Sequence, residues 1–198
     1  MLNKLLVATG NQGKLKEIRE ILSDIEVLGM SDAGIECDVE ETGTTFAENA
    51  YIKAFEISKR TGLPVLADDS GLEVDALGGR PGVYSARFAG EHATDDENVK
   101  KLLAELKDVP KDKRGARFAC AMCLIFPGGR KIETFGTSCP GIIVDRKRGE
   151  NGFGYDPVFF APEFGKTFSE MTMEEKNKVS HRKAALAALS EKLKGERL

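Results

Sequence analysis

Short apolar runs alternate with amphipathic stretches along the first half of the chain. Residues 3–9 form an apolar run that predicts a strand, and apolar residues then recur at helical spacing from Lys14 to Ser23. A second helix is predicted from Thr45 to Thr61, and it ends at Gly62, a residue type that commonly follows the last helical turn. The run from Pro64 to Asp68 predicts another buried strand. This order of elements is typical of an α/β protein.

Strand patterns dominate the second half of the chain, apart from two helices. One helix is predicted from Thr94 to about Lys107 and another from Thr172 to Lys194. Each begins with a Thr followed three residues later by a Glu, the pattern of a capping box. The remaining predicted strands cover residues 26–30, 72–74, 117–126, 131–138 and 141–146. We therefore expect an α/β fold with a mixed sheet flanked by helices, in which residues 1–198 form a single domain with two lobes and a cleft.

Composition and charge disfavour two classes of binding partner, nucleic acids and membranes. The chain has 198 residues, enough to bury a core without disulfides, and its formal net charge is −3. Electrostatic binding of nucleic acid over a broad area needs a basic surface, so the negative net charge disfavours a nucleic-acid-binding protein. No apolar stretch approaches the ~18 residues of a membrane span, and no signal-peptide pattern precedes the run that begins at Leu5. We expect a cytoplasmic protein that does not bind membranes.

Two of the four cysteines form a C-x-x-C pattern, Cys120 and Cys123, within an apolar run that predicts a buried strand. Residues three apart on a strand point to opposite faces, so these thiols are not expected to converge on one metal ion. A zinc site would also need a second close pair of ligands, and the sequence has none. We interpret both cysteines as small core residues.

The segment from Thr9 to Lys14 is the first candidate for binding chemistry. It follows a predicted strand and opens a predicted helix. Its glycines allow close approach of the backbone, and the free N–H groups at the start of the helix, together with Lys14, favour an anion such as phosphate. An ordinary joint between a strand and a helix explains the same pattern equally well.

Adjacent carboxylates provide the second candidate. Asp68 and Asp69 follow a buried strand, and ligands of α/β proteins collect at strand ends. Carboxylates in that position commonly hold Mg²⁺. The acidic pair Glu40 and Glu41 stands in a loop before a helix that also carries Lys53. The alternatives are a turn at the first pair and a solvated loop at the second.

A glycine-rich loop and the C-terminal helix offer groups suited to a nucleobase. The loop from Gly149 to Pro157 presents Phe153 and Tyr155, whose rings can stack on a flat base or fill the core. Its Asp156 can accept hydrogen bonds from a base or from a lysine. The helix contributes hydrogen-bond donors at Lys176, His181 and Arg182, although an isolated helical histidine is often structural.

Taken in order, five segments resemble one family, the inosine/xanthosine triphosphate pyrophosphatases of bacterial type. The resemblance runs from Leu5 to about Leu189, with no departure at the motif positions. The segments are ATGNQGK, EETGTTFAENA, LADDSGLEVDALGGRPGVYSARFAG, NGFGYDPVF and EEKNKVSHRKAAL. Each segment alone is modest support, whereas the five together are specific.

The resemblance implies an elongated mixed sheet with a central substrate cleft, a homodimer, and Mg²⁺-dependent hydrolysis of non-standard purine nucleoside triphosphates to monophosphate and pyrophosphate. It implies that Asp69 is catalytic and binds metal together with Asp68 and Glu41, with Glu40 as a further candidate. The substrate-binding residues it implies are Thr9, Gly10, Asn11, Gln12, Gly13, Lys14, Lys53, Ser70, Phe153, Gly154, Tyr155, Asp156, Lys176, His181 and Arg182.

Base selectivity follows from this set of donors. Hypoxanthine and xanthine carry a 6-oxo acceptor where adenine carries an amine, so the donors of Lys176, His181 and Arg182 match the former and oppose the latter. Buried donors left without partners cost about 1–3 kcal/mol each. The alternatives are a non-catalytic nucleotide sensor, a pyrophosphatase for pyrimidine nucleotides and an RNA-binding module. The order of ITP, XTP and deoxy substrates, and the choice between Mg²⁺ and Mn²⁺, stay open.

Overall fold

The predicted alternation of helices and strands is present in the structure, a computed structural model that describes residues 4–35 and 39–195. The strands are Lys4–Val7 (β1), Glu26–Gly29 (β2), Val65–Val74 (β3), Gly115–Ile125 (β4), Lys131–Thr137 (β5), Gly141–Ile143 (β6), Phe159–Ala161 (β7) and Lys166–Thr167 (β8). The α-helices are Gln12–Ile21 (α1), Phe46–Thr61 (α2), Asp95–Glu105 (α3), Met173–Val179 (α4) and His181–Gly195 (α5). Asn3, at the start of the first predicted strand, and Cys37 lie outside the described residues.

The eight strands form one mixed sheet, which confirms the predicted fold class. Its order is β2-β1-β3-β4-β6-β7-β8, and β5 pairs with β4. Strand β1 is parallel to both β2 and β3, whereas β6 is antiparallel to β4 and to β7. The helices between the early strands supply the crossover connections that parallel pairs need.

Two predicted strands are joined in the structure, and one predicted helix is divided. Strands were predicted at 64–68 and 72–74 with an acidic segment between them, but β3 is continuous from Val65 to Val74. Asp68 and Asp69 lie within the strand and do not form a turn. Both carboxylates are buried there and have polar or charged partners. The single helix predicted from Thr172 to Lys194 is divided by Ser180, whose backbone is extended. No Pro or Gly marks that break, so helical periodicity alone could not predict it.

Contacts within the chain define two units, which we call unit 1 and unit 2. Unit 1 takes in the chain up to Asp69, residues 120–136 and the chain from Arg182 onward. Unit 2 takes in residues 70–119 and 137–181. The expectation of a single two-lobed domain stays a prediction.

The core of unit 1 has two layers, because alternate residues of β1 face opposite sides of the sheet. Leu5 and Val7 pack in a cluster with apolar residues of α1 and α5, and Leu6 packs in a second cluster with residues of α2. Cys120 belongs to the first cluster and Cys123 to the second, and both are fully buried. Burial raises the pKa of each thiol to about 12. Their interpretation as core residues on opposite faces is confirmed.

The core of unit 2 is built around three aromatic rings. The ring of Phe118 on β4 lies 4.9 Å from that of Phe159 and 5.7 Å from that of Phe168, measured between centroids. Helix α3 packs on this core through Val99 and Leu102. The capping boxes predicted at Thr94 and Thr172 are both formed.

No helix among residues 4–35 and 39–195 is both long enough and apolar enough to cross a membrane.

Candidate functional site

The acidic pair of unit 1 lies just beyond the point where β1 ends. The last residues paired between β1 and β3 are Val7 and Leu66, and the N–H of Ala8 still donates to the Leu66 carbonyl at 2.8 Å. Asp68 and Asp69 follow on β3 with 0% and 6% of their surface exposed. The parallel register therefore places two buried carboxylates near the carboxyl end of β1, where the chain turns into α1.

Asp68 belongs to a network of two buried carboxylates, one buried arginine and one partly buried lysine. Its Oδ2 lies 3.1 Å from Nζ of Lys14 and 3.4 Å from a guanidinium nitrogen of Arg182. The other end of Arg182 is paired with the carboxylate of Glu17 on α1, and both residues are 1% exposed. Burial alone would raise the pKa of Asp68, but the charges of Lys14, Arg182 and Lys53 outweigh it and hold the pKa well below its usual range. Asp68 is therefore ionised, and its charge is compensated within unit 1.

Asp69 has the opposite electrostatic balance. Burial raises its pKa, and the neighbouring charge of Glu41 acts in the same direction against the opposing charges of Lys53 and Lys14. The side-chain amide of Asn49 donates to its Oδ2 at 3.0 Å. Two adjacent carboxylates thus have pKa values displaced in opposite directions, which is a common property of catalytic acid and base pairs.

Helix α2 brings Lys53 to the acidic pair. The Lys53 ammonium lies 2.9 Å from Oε1 of Glu41 and donates to the carbonyl of Asp68 at 2.7 Å. Burial acts to lower the pKa of Lys53, but the charges of Asp69, Asp68 and Glu41 raise it above its usual value. Glu48 accepts from the N–H groups of Thr44 and Thr45 in the capping box of α2, so it serves the helix start. Glu40 is exposed.

The turn from Thr9 to Lys14 exposes the start of α1. The side chain of Asn11 caps the helix by accepting from the N–H of Lys14 at 3.0 Å, and Thr9 Oγ1 accepts from the N–H of Asn11 at 3.2 Å. Gly10 and Gln12 are exposed, and a Cβ added at Gly10 would meet no atom within 4 Å. Open space beside a helix N-terminus and a lysine is a favourable setting for phosphate groups.

In unit 2, Asp156 and Lys176 form a buried ion pair. The Lys176 ammonium donates to Oδ2 of Asp156 at 2.6 Å, and each side chain is 5% exposed. The same oxygen accepts from the N–H of Phe153 at 3.0 Å. Gly152 has a φ of +78°, and a Cβ there would lie 2.2 Å from Asp156 Oδ2, so only glycine fits this turn. The loop thereby holds the Phe153 ring 5.0 Å from the Lys176 ammonium.

The other residues expected at the base have different surroundings. Tyr155 is buried in the core of unit 2, and its hydroxyl donates to the carbonyl of Ser85 at 2.9 Å. Burial raises the pKa of this phenol. His181 is 4% exposed, and its ring stacks on Phe118 at a centroid distance of 5.0 Å. Ser70 is partly buried on β3.

The structure therefore brings most of the candidate residues together in two groups. Unit 1 holds Lys14, Glu41, Lys53, Asp68 and Asp69 close to one another, and Arg182 joins this group through Asp68. Unit 2 holds Phe153, Asp156 and Lys176 together. Among the described residues, no three His, Cys, Asp or Glu side chains converge closely enough to hold a metal ion by themselves.

Three residues that contact these groups were given no role from the sequence, although one of them, Asn49, lies in the segment EETGTTFAENA. Glu17 is adjacent to the apolar face of α1 and resembles a solvated helix residue. Asn49 lies inside a predicted helix, where asparagine carries no chemical signature. Phe118 reads as an ordinary core residue, although its ring stacks on His181. Their partners are distant in sequence, so only the fold reveals them.

This chain is similar to known proteins along nearly its whole length. The family described as the Ham1 family matches residues 5–192. A protein of Clostridium perfringens named dITP/XTP pyrophosphatase is 50% identical, over 98% of each chain. A protein of the same name from Bacillus cereus is 49% identical, over 97% of this chain and 95% of its own.

Solved structures extend the similarity to the fold. The Ham1 protein of Staphylococcus aureus has a TM-score of 0.85 and 43% identity, covering 98% of this chain and all of its own. A HAM1 protein of Coxiella burnetii has a TM-score of 0.86 and 42% identity, covering 99% of this chain and 100% of its own. Together, these findings confirm the resemblance inferred from the motifs and the mixed α/β architecture.

Proposed function

Because the chain belongs to the Ham1 family, we propose that it hydrolyses non-standard purine nucleoside triphosphates such as ITP, dITP and XTP. The products are the monophosphate and pyrophosphate, so the reaction clears these nucleotides from the pool. The observation that carries the proposal is the buried pair Asp68 and Asp69, whose pKa values are displaced in opposite directions beside Lys14 and Lys53. The names of the relatives from Clostridium perfringens and Bacillus cereus support the substrate class.

The groups of unit 1 suit a triphosphate. The turn from Thr9 to Lys14 offers backbone N–H groups, and two ammonium groups, Lys14 and Lys53, lie beside the acidic pair. Both side chains are about 15% exposed at most, so water screens their charges less than at an open surface. These groups bind the phosphates and fix the α-phosphorus near Asp69.

The oxygen donors of unit 1 fit a divalent cation. Asp69 and Glu41 influence each other electrostatically, and both provide the hard oxygen ligands that Mg²⁺ prefers. Mg²⁺ usually keeps few protein ligands and completes its shell with substrate phosphates and water, so a cage of three side chains is not needed. Asp68 is the weaker candidate ligand because its charge is already compensated by Lys14 and Arg182, and Glu40 remains a further candidate.

When bound, Mg²⁺ supplies charge neutralisation at the phosphates and lowers the pKa of a coordinated water. Asp69 orients the attacking water and accepts its proton, a role that suits a carboxylate whose pKa is raised by burial. Lys53 holds Glu41 in place and donates to the carbonyl of Asp68, which fixes the backbone next to Asp69.

The groups of unit 2 suit a 6-oxopurine. Phe153 provides a ring face for the base, and Lys176, held by Asp156, provides a cationic donor beside it. His181 is oriented by its stacking on Phe118. Arg182 already forms ion pairs with Glu17 and Asp68. Its proposed role in binding the base therefore rests on the family resemblance alone.

We expect His181→Ala to reduce selectivity for the 6-oxo group. The ratio of kcat/KM for ITP to kcat/KM for ATP should fall about tenfold, since a lost hydrogen bond to the base costs roughly 1–3 kcal/mol. Steady-state kinetics with both nucleotides measure the ratio. His92→Ala is the matched control, because His92 is exposed and has no proposed role. An unchanged ratio in His181→Ala removes this residue from base recognition.

The enzyme and the sensor make different predictions for turnover. A panel of dITP, XTP, ATP and GTP should show high kcat/KM for the first two only, and removal of divalent cations by EDTA should abolish turnover until Mg²⁺ is restored. Equal rates with all four nucleotides would contradict the substrate class, and full activity in EDTA would contradict the metal. The buried acidic pair disfavours a pure sensor, because carboxylates repel a triphosphate unless a cation lies between them, as metal-assisted hydrolysis requires.

We also propose a homodimer, as the family resemblance implies, and a cytoplasmic location, as expected from the sequence. Unit 1 exposes large aromatic side chains, with Tyr51 and Phe55 stacked one turn apart on α2 and Phe135 58% exposed on β5. Contiguous exposed apolar groups mark association surfaces, and the stacked rings of Tyr51 and Phe55 are the candidate for one here. The mass of a single chain in light scattering would contradict the dimer.

A further inference from the structure

Asn49 is a fully buried polar residue in the second turn of α2, with 0% of its surface exposed. Both the nitrogen and the oxygen of its side-chain amide form hydrogen bonds. Its Nδ2 donates to Oδ2 of Asp69 at 3.0 Å, and its Oδ1 accepts from the N–H of Gly43 at 2.8 Å. One side chain therefore joins β3 to the loop that precedes α2.

That loop is held tightly against the helix. A Cβ added at Gly43 would lie 2.6 Å from Asn49 Oδ1 and 2.7 Å from Cβ of Glu48, so a larger residue would push the loop away. Gly43 follows Glu41 by two residues. The bond between Asn49 and Gly43 thus fixes the loop close to the carboxylate that faces Lys53.

Residues on one face of helix α2 contact the carboxylates of both Asp69 and Glu41. Asn49 and Lys53 are four residues apart, so their side chains lie on the same side of the helix. The first holds Asp69, and the second holds Glu41 at 2.9 Å. The relative placement of Asp69 and Glu41 therefore depends on two positions one helical turn apart on a single helix.

Only an amide supplies this combination of bonds. An aspartate at position 49 would still accept from Gly43 but would not donate to Asp69, and a leucine of similar shape would do neither. We propose that Asn49 is a positioning residue that sets the orientation of Asp69 relative to Glu41 and so makes the pair competent to bind a divalent cation with the nucleotide. The inference rests on the proposed function, and it adds a residue that the family motifs did not assign.

The first test measures cation binding without turnover. The probe is the ITP analogue with a methylene bridge between the α- and β-phosphorus atoms, which cannot be cleaved there. Its affinity is measured by equilibrium dialysis with and without Mn²⁺. In the wild type, Mn²⁺ should increase the affinity for the analogue. In Asn49→Leu, the ratio of the affinities with and without Mn²⁺ should be at least tenfold smaller than in the wild type. Affinity for the analogue without metal should change less than twofold.

The second test separates the two bonds of Asn49 by kinetics. Asn49→Asp keeps the acceptor for Gly43 and loses the donor to Asp69, so kcat for ITP should fall at least tenfold while KM changes less than threefold. This variant also serves if Asn49→Leu does not fold. Wild-type kcat in Asn49→Asp would overturn the proposal, since the donor to Asp69 would then be dispensable.

Asn98 provides a matched control in unit 2. It is 2% exposed, accepts from the N–H of Ala89 at 2.7 Å and donates to the carbonyl of Ala86 at 3.0 Å, and it contacts no carboxylate of the candidate site. Asn98→Leu should lower stability but leave the Mn²⁺ enhancement unchanged.

The outcomes separate the two proposals. If Asn49→Leu keeps the Mn²⁺ enhancement and kcat within twofold of the wild type, the positioning role is wrong and the proposed function stands. If the wild type itself shows neither Mn²⁺ enhancement nor cleavage of ITP, the proposed function fails, and the positioning role fails with it.

Discussion

Asp69→Asn is expected to lower kcat about a thousandfold while the fold stays intact. The substitution removes a negative charge that we assign to cation binding and to proton transfer from water, and proton transfer alone is typically worth 10²–10⁴-fold. The asparagine has the same shape, and its carbonyl oxygen can still accept from Asn49, so the buried packing is kept. Steady-state kinetics with ITP and saturating Mg²⁺, together with circular dichroism, measure both properties.

The control for this variant lies on the same strand. Glu73 of β3 forms a surface ion pair with Arg117 at 2.8 Å and has no proposed catalytic role. Glu73→Gln should keep kcat within twofold of the wild type. If Asp69→Asn retains more than a third of wild-type kcat, the assignment of the catalytic carboxylate is wrong.

Arg182→Met should lower the free energy of unfolding at pH 7 by about 3–5 kcal/mol, the usual cost of removing one partner from a buried ion pair. The guanidinium is 1% exposed and is shared by Glu17 and Asp68, so its loss leaves buried carboxylates with less compensation. Because Arg182 helps to depress the folded-state pKa of Asp68, this contribution is present above the ordinary value of 3.8. It is lost as the pH falls through the folded-state pKa. Urea denaturation measures the change.

Two further variants serve as comparisons for the stability of Arg182→Met. Arg117→Met removes an exposed ion pair, in which the arginine side chain is 57% exposed, and should cost at most about 1 kcal/mol. Glu17→Leu combined with Arg182→Met also removes a carboxylate whose charge the arginine compensated, so it should recover part of the loss. A cost below about 1 kcal/mol in Arg182→Met would contradict a structural role for the buried network.

Much of the fold could be predicted because local signals were strong. Helix α2 was predicted from Thr45 to Thr61 and runs from Phe46 to Thr61, because Gly62 marks its end; in the structure, the capping box of Thr45 and Glu48 fixes its start. Strands β7 and β8 were missed, since elements of two or three residues have too few positions to show a period. The break at Ser180 was missed because no Pro or Gly marks it in the sequence.

The candidate site was predictable only in part. The Asp68 and Asp69 pair could be selected because consecutive acids after an apolar run are unusual, and the resemblance supplied Lys53 and Glu41. Nothing local links Asn49 to Asp69, which lies 20 residues away, or Glu17 to Arg182, which lies 165 residues away. The Glu17–Arg182 pair arises when α1 and α5 pack together, and the Asn49–Asp69 pair when α2 packs against β3, so only the folded chain brings these residues into contact.

Product analysis tests the central claim most directly. Purified protein is incubated with ITP and Mg²⁺, and the nucleotide and phosphate products are separated and identified by ion-exchange chromatography. We predict IMP and intact pyrophosphate in equal amounts. Formation of IDP and phosphate would contradict cleavage between the α- and β-phosphates. Binding of ITP without any turnover would contradict the enzyme altogether.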